Sequence, residues 1–132
     1  MKRFLLISLI IFSVISCKEK EFEPEGPTDV RVKNITSDIT FIEVIVNTSG
    51  GIDTLGNIGP GELSEYERFD KAFVKAEISA QVNGQLFSTG EVNYNGLTYI
   101  GQAKITYEVW ISDYNNKKLE VKVLYPLDGP LD

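Results

Sequence analysis

The sequence has no histidine and a single cysteine, Cys17, in 132 residues. Without histidine the chain lacks an imidazole base and an imidazole metal ligand. One cysteine alone can form neither an internal disulfide nor a zinc site with sulfur ligands. Most familiar hydrolytic chemistry is thereby excluded. We therefore predict that the protein is not an enzyme, that it has no catalytic or metal-ligating residues, and that it needs no cofactor.

Basic residues are also few. The chain has 13 Lys and Arg against 19 Asp and Glu, a formal charge of −6. Lys2 and Arg3 lie in a predicted signal segment, so the remaining chain carries 11 basic and 19 acidic residues, a charge of −8. A surface of this sign repels phosphate backbones. Nucleic acid is therefore not an expected partner.

The N-terminal residues are typical of an exported protein. Lys2 and Arg3 precede an apolar run, Phe4 to Ile15, which is interrupted only by two serines and is shorter than the about 20 residues of a spanning helix. Val14-Ile15-Ser16-Cys17 resembles the bacterial lipobox, which implies cleavage before Cys17 and acyl chains, such as palmitate, on that cysteine. The alternative is an ordinary signal peptide, which leaves an unpaired exported thiol unexplained. We predict a signal peptide over residues 1–16 and lipid attachment at Cys17.

Residues 17–27 are predicted to form a lipidated cysteine and an acidic tether. The ten residues after Cys17 contain four acids and two prolines, and at ~3.3 Å per residue they reach at most about 33 Å. Such an acidic stretch resembles the export signal of Bacteroidetes-type surface lipoproteins; the alternative is a merely solvated spacer. Several acyl chains anchor a protein stably. The membrane is therefore an expected partner, and the expected location is the cell envelope, as an outer-membrane lipoprotein. The resemblance to the export signal implies the outer face, and a solvated spacer leaves the face of the membrane open.

Residues 28–126 alternate between apolar and polar positions, which is typical of strands. The alternation is strictest from Ala72 to Val82, and Asn83-Gly84 is typical of a two-residue hairpin turn. Seven or eight short strands with Gly, Pro and Asn turns favour an all-β domain, an antiparallel β-sandwich, with a small barrel as the alternative. Residues 127–132 are then a C-terminal tail. The positions expected to face the core are Val30, Val32, Ile42, Val44, Val46, Ile105, Tyr107, Val109, Ile111, Leu119, Val121, Val123 and Tyr125.

The same alternation turns several large side chains outward. Trp110 falls on the polar face of its strand, between Glu108 and Ser112, and Tyr94 and Tyr99 lie in a nearby segment rich in Asn and Gly. Exposed aromatic side chains are common anchors for sugar rings or protein partners. We predict a binding surface at these three residues; the alternative is that a bulge or a covering loop buries Trp110. Three other residues are outward by the same count: Phe41, Phe73 and Leu124.

The densest acidic cluster runs from Glu62 to Asp70, with Asp53 upstream. Paired carboxylates serve glycoside hydrolysis or calcium binding, but this spacing matches no known loop, and a solvated face is the favoured interpretation. A small carboxylate-dependent hydrolase is therefore the alternative function. Nearby, Asp53-Thr54-Leu55 resembles a short O-glycosylation motif of Bacteroidetes envelope proteins, and the glycines that follow are read as turn residues.

Several stretches resemble small Bacteroidetes-type lipoproteins of uncharacterised function. They are Val32-Lys33-Asn34-Ile35, Val44 to Thr48, Gly59-Pro60-Gly61-Glu62-Leu63-Ser64-Glu65-Tyr66 and Thr106-Tyr107-Glu108-Val109. The resemblance covers most of the chain and rests on turn and strand motifs. It implies an immunoglobulin-like or transthyretin-like sandwich in the envelope and carries no catalytic residues. We expect a lipid-anchored, non-catalytic binding or assembly module for a protein or glycan partner.

Lipidation generates the first prediction. Mass spectrometry of the mature protein is expected to show Cys17 as the N-terminal residue with a heavy acyl modification, and Cys17→Ala is expected to leave the protein uncleaved or unanchored. An unmodified thiol in protein purified from membranes contradicts the lipobox interpretation.

Overall fold

The computed structural model describes residues 23–132. These residues form eight strands and no helix, so the all-β prediction is confirmed. No helix among them is long and apolar enough to cross a membrane. The strands are β1 Thr28–Asn34, β2 Phe41–Asn47, β3 Ile52–Ile58, β4 Glu67–Phe69, β5 Glu77–Val82, β6 Gln85–Ser88, β7 Lys104–Asp113 and β8 Lys118–Val123.

All eight strands belong to one sheet, in the order β3-β2-β5-β6-β8-β7-β1-β4. The sheet curls until its edge strands β3 and β4 approach each other, which gives a nearly closed, barrel-like shape. Most pairings are antiparallel, but β1 runs parallel to β7 and β6 runs parallel to β8. Because all eight strands belong to one continuous sheet that includes parallel pairs, the finer prediction of an antiparallel sandwich is not confirmed.

The inner face of the curled sheet forms one apolar core. Its largest fully buried side chains include Tyr107, Phe41 and Phe87. Each fully buried aliphatic or aromatic side chain contributes about 1.5–3 kcal/mol of transfer free energy, and this burial holds the sheet together. Most of the predicted core positions are buried: Val30, Val32, Val44, Val46, Ile105, Tyr107, Val109, Leu119 and Val123. Ile111 and Val121 are half-buried and pack against this core.

A β-bulge in β2 overturns the prediction for Phe41 and Ile42. Phe41 is fully buried and Ile42 is 38% exposed, the reverse of simple alternation. Glu43 has φ of 53°, and the β2–β3 register shifts on both sides of Val44. The Glu43 N–H donates to Asn57 Oδ1 at 2.9 Å. A bulge adds one residue to a strand and exchanges its two faces, so the parity count fails on its far side.

The outward prediction for Phe73 is also wrong. The structure begins β5 at Glu77, so the alternation from Ala72 does not describe one strand. Ala72 and Phe73, although adjacent, are both buried, at 0% and 5% exposure. An irregular segment can turn consecutive side chains the same way, which a regular strand cannot.

The end of β8 departs from the prediction as well. This strand stops at Val123, and Tyr125, expected to face the core, is 64% exposed. Leu124, expected to face outward, is half-buried. The chain continues past Tyr125-Pro126 and pairs again with the start of β7, where the Lys104 N–H donates to the Gly129 carbonyl at 2.8 Å. Part of the predicted C-terminal tail therefore lies on the sheet.

The predicted hairpin at Asn83-Gly84 is present between β5 and β6, with φ of 51° and 78° at the two turn residues. Both values suit the left-handed conformation that this turn requires. At the other end of the fold, the described part of the predicted tether is packed against the domain: Pro27 is buried, and Gln102 Nε2 donates to the Glu23 carbonyl at 2.8 Å. The predicted signal peptide and Cys17 lie outside the described residues.

The buried Tyr107 hydroxyl generates a stability prediction. It donates to the Phe73 carbonyl at 2.5 Å. Tyr107→Phe is expected to destabilise the protein by about 1–3 kcal/mol, because the buried carbonyl loses its partner. Urea unfolding measures this change. Tyr125→Phe, at an exposed tyrosine, is the matched control and is expected to change stability by less than about 0.5 kcal/mol. Equal stabilities of the two variants contradict a structural role for the bond.

Candidate functional site

Three aromatic side chains meet at the end of the sheet where the chain enters the domain. The Phe73 ring stacks on Tyr99, with centroids 4.6 Å apart, and is tilted against Tyr94 at 4.9 Å. We call Phe73, Tyr94 and Tyr99 the aromatic cluster. Backbone pairing fixes it, because Phe73 and Tyr99 form an antiparallel bridge and the Ile100 N–H donates to the Ala72 carbonyl at 2.9 Å.

The members of the aromatic cluster differ in access to solvent. Phe73 is buried, Tyr94 is half-buried and Tyr99 is 44% exposed. The Tyr94 hydroxyl donates to the Asn47 carbonyl at 3.0 Å, so this residue is held in place. Burial, and then the charge of Glu77, raises the pKa of Tyr94. Tyr99 is therefore the member that presents a ring to a ligand, supported from behind by Phe73.

Charge and shape next to Tyr99 define a shallow groove. Lys71 Nζ lies 5.7 Å from the centre of the Tyr99 ring, within the range of a cation–π contact. Residues 23–25 and 99–101 line an open groove of about 420 Å³. We call it the Tyr99 groove. It combines one exposed aromatic ring with carboxylates of the entering chain, a mixture of stacking and polar groups that suits a sugar or a protein loop.

Trp110 lies apart from the aromatic cluster. It occupies the outer face of β7 opposite Glu120, is half-buried, and forms a ring pair with neither Tyr94 nor Tyr99. Trp110 lies six residue steps after Lys104, about 20 Å along β7 at ~3.4 Å per step. The structure thus brings two of the three predicted binding residues together and leaves Trp110 toward the opposite end of the sheet.

Sequence reasoning missed a polar network on the same outer face. The Tyr66 hydroxyl and Thr106 Oγ1 both donate to Asp128 Oδ2, at 2.7 and 2.6 Å, and Arg31 Nε donates to Thr106 Oγ1 at 2.9 Å. Arg31 and Lys104 lie over the Tyr66 ring at 4.7 and 5.4 Å. Burial, and then Asp128, raises the pKa of Tyr66 to about 12.

Alternation in β1 and β7 did place Arg31 and Thr106 outward, but it could not place Asp128 beside them. Asp128 belongs to the predicted tail, and its side chain is only 14% exposed. Every group in this network already has a partner inside the chain. The network therefore secures the C-terminal residues on the sheet and is not a vacant binding site.

The predicted acidic cluster is divided by the fold. The Glu62 carboxylate accepts a bond from the Gly59 N–H at 2.9 Å and closes a turn, while Glu65 and Asp70 are exposed. Glu67 and Asp53 face each other across the seam between the edge strands, and the hydrogen-bonding contact with Asp53, followed by burial, raises the pKa of Glu67. Within residues 23–132, no group of three or more His, Cys, Asp or Glu side chains could hold a metal ion.

Comparison with known proteins adds a distant structural similarity. No family model matches the chain, and no curated protein matches it. The chain is similar to the NMR structure of a protein from Eubacterium rectale, with a TM-score of 0.49 and 14% sequence identity over 76% of this chain and 89% of that chain. A similarity of this size carries no argument about function.

The carboxyl pair at the seam generates a pH prediction. Since the folded pKa of Glu67 lies above its ordinary value of 4.5, the folded state binds more protons than the unfolded chain between the two values. Stability therefore falls as the pH rises through that window. Glu67→Gln is expected to raise the melting temperature at pH 7, and the gain is expected to shrink as the pH falls through this window toward 4.5.

Asp70→Asn is the control for this experiment, because it removes one exposed negative charge from the same region. It is expected to show no comparable dependence on pH. Melting curves of the two variants and the parent protein between pH 3.5 and pH 8 make the comparison. A gain for Glu67→Gln that is the same at every pH contradicts the carboxyl contact.

Proposed function

We propose that this protein is a lipid-anchored protein of the cell envelope, an outer-membrane lipoprotein that acts as a non-catalytic binding or assembly module for a protein or glycan partner. The observation that carries the binding role is Tyr99. Its ring is exposed, supported by Phe73, and set beside an open groove. An aromatic ring held in place before binding loses little conformational entropy when a partner packs on it.

The chemistry of the Tyr99 groove suits a sugar ring or an extended loop. A tyrosine face packs against the C–H groups of a sugar or against an apolar side chain, while its hydroxyl can hydrogen-bond. Glu23 and Glu25 on the groove wall supply acceptors for hydroxyl or amide donors. Lys71, near the same ring, partly offsets their charge.

The anchoring half of the proposal places this groove close to the lipid. Because residue 23 is already held on the domain, six residue steps separate it from Cys17. At ~3.3 Å per step, the groove lies within about 20 Å of an acyl-modified Cys17. The partner would then be a component at the membrane surface. An immunoglobulin-like or transthyretin-like type for the curled sheet is part of the same proposal.

The alternative of a carboxylate-dependent hydrolase has less support from the geometry. Two carboxyl groups in hydrogen-bonding contact, as at Asp53 and Glu67, are closer than the about 5 Å or more that separates the two acids of glycosidases. Such a pair leaves no space for a glycosidic bond between its members. Neither residue lines the Tyr99 groove.

The binding role predicts a specific effect of Tyr99→Ala. Partners cross-linked to the protein in native membranes are expected to decrease by about tenfold in this variant. This corresponds to a loss of about 1.4 kcal/mol, a size typical for truncation of an aromatic anchor. Quantitative mass spectrometry of the cross-linked material, together with a glycan array, measures the loss and distinguishes protein from glycan partners.

Tyr125→Ala is the matched control, since Tyr125 is 64% exposed and lies outside the Tyr99 groove. Trp110→Ala tests the remaining predicted residue on the same materials. Retention of every partner by Tyr99→Ala contradicts the role of the groove. If only Trp110→Ala loses the cross-linked partners, the binding surface is on the outer face of β7 and not at the Tyr99 groove.

A further inference from the structure

The sheet has an opening inside its strand order, between β6 and β8. These strands share a single register pair, Ser88 with Lys118, and the Ser88 N–H donates to the Lys117 carbonyl at 3.1 Å. The next amide on this side of β6, the Gly90 N–H, donates to Ser88 Oγ at 2.8 Å and not to β8, so the ladder ends there. Among the described residues, no further pair joins the two strands. From Leu119 to Val123, β8 therefore has a neighbouring strand on one side only.

The register of β7 and β8 shows which backbone groups face this opening. The Leu124 N–H donates to the Thr106 carbonyl at 2.9 Å, and in an antiparallel ladder every second pair repeats this pattern. Glu120 and Lys122 therefore direct their backbone groups toward β7. Val121 and Val123 direct theirs toward the opening, where β6 no longer pairs.

A cleft of about 370 Å³ fills the opening. We call it the β8 cleft. Its size falls within the usual range for ligand sites, about 300–1,000 Å³. Ala76, Leu97 and Val121 form an apolar part of its wall, and the lining also carries two lysines and two glutamates. The lining residues are Lys75, Ala76, Thr89, Glu91, Val92, Asn93, Leu97, Lys118, Glu120 and Val121.

We propose that the β8 cleft binds an extended peptide segment of a partner protein, which adds a strand along β8. Backbone groups of Val121 and Val123 would supply the hydrogen bonds, as in other cases of strand addition to a sheet edge. The inference deepens the proposed binding role by naming a peptide as the ligand class. It uses a different surface from the Tyr99 groove, so each can fail without the other.

The residues along β8 specify the chemistry of the peptide. Residues paired across neighbouring strands share a face, so a residue opposite Val121 points toward the apolar wall at Ala76 and Leu97. Residues opposite Glu120 and Lys122 point outward beside those charges. The matching segment therefore carries basic, apolar and acidic residues opposite Glu120, Val121 and Lys122. The sequence pattern acidic, apolar, basic, apolar, acidic supplies them in either chain direction.

The edges of the sheet are less suited to this role. β4 has only three residues. β3 carries Asp53, which faces Glu67 across the seam, and inward-pointing charges of this kind discourage pairing with another strand. The β8 cleft combines an unpaired edge from Leu119 to Val123 with apolar side chains in its wall and an equal number of lysines and glutamates.

Amide hydrogen exchange of the purified protein tests the open edge without any ligand. The amides of Val121 and Val123 are expected to exchange at least about tenfold faster than those of Glu120 and Lys122, since only the latter pair with β7. NMR resolves these amides individually. Equal protection of all four amides overturns the proposal.

A synthetic probe tests binding itself. The peptide acetyl-Thr-Glu-Val-Lys-Val-Glu-Thr-amide carries the matching pattern. It is expected to slow exchange at Val121 and Val123 and to shift their NMR signals. Two control peptides are the charge-reversed sequence, with Lys and Glu exchanged, and the same sequence N-methylated at its central amides.

N-methylation is expected to weaken binding by about tenfold or more, because it removes backbone hydrogen bonds worth about 0.5–1.5 kcal/mol each. Glu120→Gln is expected to weaken binding of the matched probe. Glu43→Gln is the control and is expected to leave binding unchanged, because Glu43 lies on β2, which β5 and β6 separate from β8. No binding of the matched probe at millimolar concentration, or equal binding of the N-methylated probe, overturns the proposal. Neither result affects the test at Tyr99, which reports on the proposed function separately.

Discussion

A buried tyrosine connects the centre of this fold to its irregular end. Tyr107 is among the largest fully buried side chains, and its hydroxyl donates to the Phe73 carbonyl. Burial raises the pKa of Tyr107, so the hydroxyl stays protonated and continues to donate. The segment around Phe73 is not a regular strand, and without this bond its buried carbonyl would lack a partner. The aromatic cluster depends on the position of that segment.

Backbone pairing in the curled sheet is incomplete at three places, and different residues lie at each of them. At the seam between β3 and β4, the side chains of Asp53 and Glu67 interact, and this contact raises the pKa of Glu67. At the start of β7, residues from the C-terminal end pair with Lys104, and Asp128 binds Arg31 and Thr106. Between β6 and β8 nothing in the described chain completes the ladder. This difference is why the β8 cleft is the place proposed for an added strand.

The two proposed binding surfaces both include residues of one connecting segment, residues 93–101. Asn93 and Leu97 line the β8 cleft, whereas Tyr99 lines the groove that bears its name. Backbone bonds hold the segment, among them Leu97 to Tyr94 at 3.1 Å and Ile100 to Ala72 at 2.9 Å. A ligand in either site therefore contacts a segment that also borders the other. The proposed lipid on Cys17 would place the Tyr99 groove nearer the membrane than the β8 cleft, because Glu23 is held beside this groove.

The sequence by itself determined the all-β class, most of the core and the hairpin at Asn83-Gly84, because alternation and turn chemistry are local properties. The sequence also predicts lipid attachment at Cys17. This residue lies outside the described residues, so the attachment stays a prediction. Alternation failed at Phe41, where a bulge exchanged the two faces, and at Phe73, where the strand had not yet begun. Neither the bulge in β2 nor the start of β5 at Glu77 can be recognised from the spacing of apolar residues.

Only the tertiary structure decided which distant residues meet. Parallel pairing of β1 with β7 and of β6 with β8 joins segments far apart in the chain, so no local pattern encodes it. The same long-range contacts placed Tyr94 and Tyr99 on Phe73, left Trp110 apart, and brought Asp128 to Tyr66. The opening beside β8 arises because β6 turns away after one pair. There the Gly90 N–H donates to Ser88 Oγ and not to β8.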